Sequence, residues 1–332
     1  MEDRQDTPVS RAMIGELPPV LVTGAAGFIG STLAERLLGE GRQVVGLDNL
    51  DPFYPVEQKR ANLGALEASS GFHFVEADIR DASALARVFE GFPVDGVVHL
   101  AALAGVRPSL ERSAAYADVN VHGTAVVLEA AVAHGVPRVV FASSSSVYGE
   151  RSDGPFRESD PVERPISPYA ATKRAGELLA HTFHHAHGLP IVCARIFTAY
   201  GPRQRPDLAI RKFAERIRRD VPIPIFGDGS ALRDFTFVGD LVDGLIAALD
   251  SEVTWSILNF GAGRTVSVMD VVKILEQELR RSAKIEWLPR QVGDVSRTWA
   301  DISAAREALG YAPATGIEAG IGSLVEWLES RP

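Results

Sequence analysis

The first half of the chain alternates short runs of apolar, often β-branched residues with longer amphipathic stretches. The apolar runs at residues 19–22, 43–48, 72–75, 96–100 and 139–142 have the length and composition of buried strands. Helical patterns lie between them, most clearly at residues 29–38 and around residues 124–134. Continuous apolar strands separated by helices are typical of a parallel sheet that is covered on both faces. The pattern therefore predicts an α/β protein with a doubly wound parallel sheet.

Beyond about residue 200 the pattern loosens into short segments with more arginine, proline and turn residues. This change predicts a Rossmann domain at residues 19–198, to which later segments near 235–262 return, and a smaller α/β substrate domain at mainly 199–330. Residues 1–18 carry acids and prolines rather than an apolar signal core, so we expect a loose leader there.

Composition narrows the possible partners. The chain has 332 residues, 46% hydrophobic and 23% charged, which is ordinary for a globular protein. A net charge of -9 argues against a nucleic-acid surface and against a basic membrane patch. The single cysteine rules out an intramolecular disulfide, and no apolar run approaches the roughly 20 residues of a membrane span. We therefore expect a cytoplasmic protein.

A glycine-rich turn, V-T-G-A-A-G-F-I-G, follows the first predicted strand and opens a helix. Its small residues Gly24, Gly27 and Gly30 let the backbone approach a pyrophosphate at the helix N-terminus. Asp48 ends the second strand, where an acid accepts hydrogen bonds from ribose hydroxyls. A carboxylate at that point repels a 2′-phosphate, which favours NAD over NADP. Asp78, just after the third strand, is a candidate for an adenine contact.

Tyr169 and Lys173 stand four residues apart and therefore share one face of a helix. A tyrosine has an ordinary pKa of about 10, too high for a base at neutral pH. A neighbouring ammonium and the positive nicotinamide ring favour the phenolate, so the spacing predicts a lowered pKa for Tyr169.

Together these motifs resemble the extended short-chain dehydrogenases/reductases, in the branch of the nucleotide-sugar epimerases and dehydratases. The resemblance runs from residue 20 to about 301 and includes HLAALAGVRPS, DVNVHGT, SSSSVYGE, SPYAATK, RIFTAYGPRQRPD, RDFTFVGD and RQVGDVSRTWAD. It implies that Ser144, Tyr169 and Lys173 form the catalytic set. It also implies a UDP-sugar substrate, a tightly bound NAD that is regenerated in each cycle, and a homodimer formed through the helices that contain Asn120 and Tyr169.

The resemblance also implies two sets of binding residues and no metal. The expected cofactor-binding residues are Gly24, Gly27, Phe28, Ile29, Gly30, Asp48, Asn49, Asp78, Ile79, Leu100, Ala101, Ala102, Asn120, Tyr169, Lys173 and Phe197. The expected substrate-binding residues are Arg107, Ser144, Ser145, Ser146, Tyr169, Thr198, Arg205, Phe226, Arg233, Arg290 and Asp294.

Each substrate residue has an expected partner. Guanidinium groups suit phosphate oxygens, so Arg233 and Arg290 are assigned to the diphosphate and ribose. Asp294 is assigned to the uridine ribose and Phe226 to the uracil. Arg107 and Arg205 are assigned to the sugar or the diphosphate.

The serine run indicates the reaction. Dehydratases of this branch carry Asp-Glu immediately before V-Y-G, and uronate decarboxylases carry Glu at the second of those positions, whereas this chain has Ser145-Ser146. The absence of acids there favours 4-epimerisation. Ser144 is expected to hydrogen-bond the reacting C4 oxygen, and Ser143 to satisfy backbone groups.

The sugar is indicated by F-T-x-Y-G-P-x-x-R-P-D and by A-G-V-R, which resemble the UDP-glucuronate 4-epimerases. Thr198, Ser145 and Ser146 would then form a neutral cradle of hydroxyl donors for the uronate carboxylate. Alternatives stay open: a UDP-glucose or UDP-N-acetylglucosamine 4-epimerase, a UDP-glucuronate decarboxylase, or a non-catalytic NAD-binding sensor.

Overall fold

The structure is a computed structural model, and it describes residues 18–151, 153–289 and 295–330. The strands are β1 (Val20–Thr23), β2 (Val44–Asp48), β3 (Phe72–Glu76), β4 (Gly96–His99), β5 (Val139–Ser144), β6 (Ile191–Ile196), β7 (Thr198–Tyr200), β8 (Ile223–Phe226), β9 (Leu232–Arg233), β10 (Phe235–Phe237), β11 (Trp255–Phe260), β12 (Val266–Ser267) and β13 (Ile285–Leu288). The helices are α1 (Phe28–Gly39), α2 (Val56–Glu67), α3 (Ala82–Gly91), α4 (Val106–Glu111), α5 (Ser113–Ala117), α6 (Gly123–Ala133), α7 (Pro168–His187), α8 (Ala209–Arg218), α9 (Val238–Asp250), α10 (Val268–Leu279), α11 (Ser303–Leu309) and α12 (Ile317–Glu329).

One seven-stranded sheet organises the larger part of the molecule, in the order β11-β6-β5-β4-β1-β2-β3. All of its strand pairs are parallel. Helices α1, α2 and α9 cover one face, and α3, α6 and α7 cover the other. The predicted doubly wound parallel sheet is confirmed, and each predicted strand in the first half coincides with an observed one within a few residues.

A third apolar cluster lies beyond the two that cover the faces of this sheet. It is formed by α8, α10 and α12, which pack around the short parallel pair of β8 and β13. The chain crosses more than once between this cluster and the large sheet. After β10, α9 and β11 return to the sheet before α10 joins the cluster.

The site is positioned by the carboxyl ends of the sheet strands. In a parallel doubly wound sheet, ligands bind where these ends open and the strand order reverses, which here lies between β1 and β4. Among the described residues, no helix is both long and apolar enough to cross a membrane.

Candidate active site

A cavity of about 460 Å³ opens along the carboxyl ends of the strands. Its lining includes every residue expected to bind the cofactor except Asn120. Asn120 lies behind the wall, 2% exposed. Its amide is bonded to the backbone of Leu103 and to the Thr172 hydroxyl.

The glycine loop forms the floor of the cavity and depends on glycine at two places. Gly24 has φ +73, and a Cβ there would lie 2.9 Å from the backbone nitrogen of Ala101. A Cβ on Gly30 would lie 2.1 Å from the carbonyl oxygen of Gly24. Gly27, the N-cap of α1, makes no side-chain cap, and the first turn of this helix contains no acidic residue.

Asp48 closes the cavity at the end of β2. One carboxylate oxygen accepts from the backbone nitrogen of Ala26 at 3.2 Å. The other accepts from the nitrogen of Leu50 at 2.8 Å and from Lys59 Nζ at 3.2 Å. The sequence reasoning missed Lys59, which stands eleven residues along the chain and offsets part of the negative charge at this point.

The N-terminus of α7 determines where Tyr169 lies in the cavity. Ser167 caps the helix by accepting from the nitrogen of Ala170 at 3.1 Å, and Pro168 occupies the first helical position. Tyr169 therefore lies in the first turn, with Lys173 one turn later on the same face. Both side chains line the cavity.

The four serines have different partners. Ser144 ends β5, and its Oγ accepts from the Ser146 nitrogen at 3.1 Å and lies 3.1 Å from Ser146 Oγ. Ser143 Oγ donates to the carboxylate of Glu177 at 2.6 Å. The expectation that Ser143 satisfies backbone groups is wrong, because its side chain faces α7. All four serines line the cavity.

The pKa of Tyr169 differs in direction from the prediction. Burial raises it above the ordinary value, while a hydrogen bond with Ser144 and the positive charge of Arg205 oppose that rise. In the protein alone, burial therefore outweighs the neighbouring charges. Burial also lowers the pKa of Lys173 to about 8, and its ammonium donates to the carbonyl of Ala142 at 2.8 Å.

Arg205 joins the Tyr169 end of the cavity to the loop after β2. Its guanidinium binds Asp207 at 2.7 Å and lies 5.0 Å from the ring centre of Phe53. Arg205 and Thr198 both line the cavity, as expected of residues that contact substrate.

A buried charge cluster below the site was missed by the sequence reasoning. Glu177 accepts from Arg195 Nε at 2.8 Å and from Arg195 Nη2 at 3.0 Å, in addition to Ser143. Two signals could have indicated it: Glu177 is one turn beyond Lys173, and Arg195 interrupts the apolar run of β6. The pair ties α7 to β6 directly beneath the Ser144–Tyr169 end of the cavity.

A second cavity, of about 280 Å³, meets the first at Thr198 and Leu208, which line both. It contains Arg107, Phe226 and Arg233, three of the residues expected to bind substrate. The Arg107 guanidinium lies 4.6 Å from the ring centre of Phe226, so the arginine covers part of that ring. The other two expected residues, Arg290 and Asp294, lie outside the described part of the chain.

A doubly wound sheet whose glycine loop, acid and serine–tyrosine–lysine group share one cavity defines a dinucleotide-dependent enzyme. The chain belongs to the NAD dependent epimerase/dehydratase family, whose model matches residues 20–261.

Known relatives are similar along most of their length. The UDP-glucuronate 4-epimerase of Thermodesulfobacterium geofontis is 45% identical, over 92% of this chain and 95% of that protein. The crystal structure of the UDP-glucuronic acid 4-epimerase of Bacillus cereus with UDP-glucuronic acid and NAD superposes with a TM-score of 0.89 at 37% identity, covering 94% of this chain and 99% of that one. The UDP-glucose 4-epimerase of Thermotoga maritima with UDP-glucose reaches a TM-score of 0.86 at 31% identity, with the same coverage.

Proposed function

We propose that this protein catalyses the NAD-dependent 4-epimerisation of UDP-glucuronate to UDP-galacturonate. One observation carries the choice of reaction. Around Ser144 and Tyr169 the cavity is lined by the hydroxyls of Ser145, Ser146 and Thr198, and no described lining residue at this end is a carboxylate. The similarity to enzymes that epimerise UDP-glucuronate supports the same choice.

The residues fit an NAD molecule along the floor of the larger cavity. Because Gly24, Gly27 and Gly30 have no side chains, the loop would present backbone groups to a pyrophosphate. Asp48 accepts three hydrogen bonds within the protein, and a carboxylate has about four lone-pair positions, so one remains for a ribose hydroxyl. Asn49, Asp78 and Ile79 line the adenine end.

The chemistry at C4 belongs to Tyr169, Ser144 and Lys173. Bound NAD⁺ accepts the C4 hydride and returns it to the opposite face of the ketone. Tyr169 takes the proton of the C4 hydroxyl and gives it back, and Ser144 hydrogen-bonds the C4 oxygen in both directions. The positive nicotinamide ring would favour the phenolate and offset the rise in the pKa of Tyr169 that burial causes. Lys173 supplies a positive charge beneath the cavity, because its ammonium is held against the Ala142 carbonyl.

The neutral hydroxyls have a further task in this reaction. Once C4 is a ketone, a uronic acid is a β-keto acid that loses CO₂ when the C5–C6 bond aligns with the carbonyl π system. Ser145, Ser146 and Thr198 are proposed to hold the carboxylate close to the ring plane, which prevents that alignment. Arg205 lines the same end, where its guanidinium would suit an anionic sugar once it exchanges its contact with Asp207 for one with the carboxylate.

The second cavity is proposed to hold the uridine diphosphate while the sugar turns over. Arg107 and Arg233 would contact phosphate oxygens, and Phe226 would face the uracil once Arg107 moves from its ring. Arg290 and Asp294 keep the roles that the sequence predicts for them.

The decisive experiment follows purified protein with UDP-glucuronate, without added NAD, by proton NMR. UDP-galacturonate formed without loss of CO₂ is the expected product. UDP-xylose or a 4-keto pentose would identify a decarboxylase, and turnover of UDP-glucose alone would identify the other epimerase class. No turnover, with NAD still bound, would fit a sensor.

A matched pair of variants separates the mechanism from folding. Tyr169→Phe should lower kcat by about 10²- to 10⁴-fold, because it removes the acid–base group. Tyr200→Phe removes a buried hydroxyl that is bonded to Gly316 outside both cavities, and it should retain full turnover. Equal activities of the two variants would contradict the role of Tyr169.

We also propose that the protein is a cytoplasmic homodimer formed through α7 and the helical segment 118–133, which contains Asn120. Leu178 on α7 is 53% exposed, and Leu110 on α4, which packs against α7, is 47% exposed. Apolar side chains of this size are commonly covered at an interface. Light scattering should give twice the mass of one chain, and Leu178→Glu should yield monomers. A monomeric parent protein would contradict the proposal.

A further inference from the structure

A network of buried and partly buried hydrogen bonds runs behind the wall of the larger cavity, from β1 to α7. It begins at Thr23, the residue before the glycine loop, whose Oγ1 accepts from the backbone nitrogens of Leu100 at 3.1 Å and Ala101 at 3.2 Å. Because these contacts occupy both lone pairs of the hydroxyl, its proton points elsewhere. The remaining neighbour is His99 Nδ1, at 2.7 Å.

This contact determines the tautomer of His99. Since Nδ1 accepts from Thr23, the ring is neutral and carries its proton on Nε2. Burial, and to a lesser extent the charge of Lys173, lower the pKa of His99 to about 3, which agrees with a neutral ring. Nε2 lies 3.1 Å from Thr124 Oγ1, and that hydroxyl donates to the carbonyl of Asn120 at 2.6 Å.

The side chain of Asn120, which is joined to the Thr124 contact only through its own backbone, extends the network. Its Oδ1 accepts from the nitrogen of Leu103 at 2.8 Å, a contact that fixes the orientation of the amide. Its Nδ2 donates to the carbonyl of Leu103 at 2.9 Å and to Thr172 Oγ1 at 3.0 Å. The Thr172 hydroxyl then donates to the carbonyl of Tyr169 at 2.8 Å. No step requires a hydroxyl to donate twice.

We propose that His99 is a positioning residue, the central link of a hydrogen-bond network that sets the distance between the glycine loop and the first turn of α7. The network joins the end of β1, the end of β4, the helical segment of residues 118–124 and the start of α7. Gly24, Ala101, Val119 and Tyr169 line the cavity at or next to these parts.

The functional consequence rests on the proposed function, because hydride transfer needs the cofactor and the C4 carbon at a fixed separation. Losing the link between His99 and Thr124 leaves substrate contacts and the contacts of Asn120 in place, but it removes the bond that ties the ends of β1 and β4 to the helix that carries Thr124. The glycine loop can then shift relative to Tyr169. A small displacement of this kind slows the chemical step rather than substrate binding. The loosened loop should also release NAD faster.

Two variants remove the same link from opposite sides. Thr124→Val deletes the hydroxyl with little change in volume, and His99→Asn keeps an acceptor toward Thr23 but does not reach Thr124. Each should lower kcat by about tenfold or more, leave KM for the UDP-sugar within about twofold, and increase NAD loss on gel filtration. Because both break one link, the double variant should be no worse than the singles. Thr32→Val is the control, since Thr32 makes the same backbone contact within α1 and does not line the cavity.

Nitrogen-15 NMR of the wild-type holoprotein tests the direction of the chain without any variant. At pH 7 His99 should show a protonated Nε2 and an unprotonated Nδ1, and Thr124→Val should shift the Nε2 signal. A proton on Nδ1, or a Thr124→Val protein that matches Thr32→Val in kcat and NAD retention, would overturn the proposal. If the wild type acts on another sugar or on none, the NMR and NAD measurements still decide the positioning role separately from the proposed reaction.

Discussion

Arg195 and Glu177 form a two-pronged ion pair that is 1% and 0% exposed, with N–O distances of 2.8 and 3.0 Å. Burial alone would raise the pKa of Glu177, but the hydrogen bonds from Arg195, Ser143 and Arg174 lower it below its ordinary range. The carboxylate is therefore ionised at neutral pH and depends on these donors.

Removing one member of this pair should destabilise the protein strongly. Arg195→Met leaves the Glu177 carboxylate buried beside Ser143 and should reduce the free energy of unfolding by about 3–5 kcal/mol. Chemical denaturation monitored by circular dichroism measures this loss.

An exposed pair supplies the control. Arg36 and Asp243 are 46% and 55% exposed, so Arg36→Met should change stability by less than about 1 kcal/mol. Similar losses for the two variants would mean that the buried pair contributes nothing special.

A substitution in the glycine loop should weaken the binding of NAD. Gly30→Ala places a methyl group 2.1 Å from the Gly24 carbonyl oxygen, so the loop must move away from α1. NAD content after purification and kcat should both fall, because the pyrophosphate floor is displaced.

Gly39→Ala is the matched substitution on the same helix. A Cβ there meets nothing within 4 Å, and alanine is the better helix former by about 1 kcal/mol. It should retain NAD and equal or exceed the parent protein in melting temperature. NAD absorbance per mole of protein distinguishes the two variants, and equal NAD content would count against the loop as the cofactor floor.

Local spacing explains why part of this site was predictable. A strand, a glycine turn and a helix are contiguous in sequence, so Gly24 and Gly30 could be assigned without knowledge of the fold. Tyr169 and Lys173 share a helix face by spacing alone. The partner of Ser143 and the pKa of Tyr169 depend instead on how α7 packs against β5 and β6, and no local pattern reports that packing. Strands β1 to β5 of the large sheet were predictable for the same local reason, because each is a short apolar run. Strand β11, which has Ser256 and Asn259 among its apolar residues, was not predicted as a strand.

Asp234 should make stability depend on pH. Its carboxylate is buried and accepts from the nitrogens of Ala262, Gly263 and Ala300, yet burial raises its pKa to about 6. The folded protein therefore binds this proton more tightly than the unfolded chain, whose aspartates have pKa values near 3.9. The contribution of Asp234 to stability is full below about pH 4 and is lost progressively as the pH rises to about 6.

Asp234→Asn tests whether the backbone N–H groups around Asp234 need a carboxylate as their acceptor. One oxygen becomes an NH₂ group that faces backbone N–H donors, so the free energy of unfolding should fall by about 1–3 kcal/mol at pH 7. The pH dependence between 4 and 6 should also become flatter than in the parent protein. An unchanged pH profile would mean that Asp234 does not titrate in this range.

Lys173 should set the alkaline limit of activity. Its pKa of about 8 means that the ammonium is present at pH 7 and is lost as the pH rises through 8. The value of kcat/KM should therefore decline above about pH 8, because the positive charge that favours proton removal by Tyr169 disappears. Steady-state rates from pH 6 to 10 measure this limb, and Lys284→Met, at an exposed position outside both cavities, should leave it unchanged. A rate that keeps rising to pH 10 would contradict the assignment.

The return of β11 to the edge of the large sheet has a consequence for synthesis on the ribosome. Strand β6 leaves the ribosome before α8, β8 and α9 and must wait for Trp255–Phe260 to complete its pairing. Until then the growing chain presents an apolar, unpaired edge, the kind of surface that invites association with other chains. Nascent chains that stall between β6 and β11 are therefore expected to be the ones that chaperones retain, whereas chains that extend beyond Phe260 can pair β6 with β11.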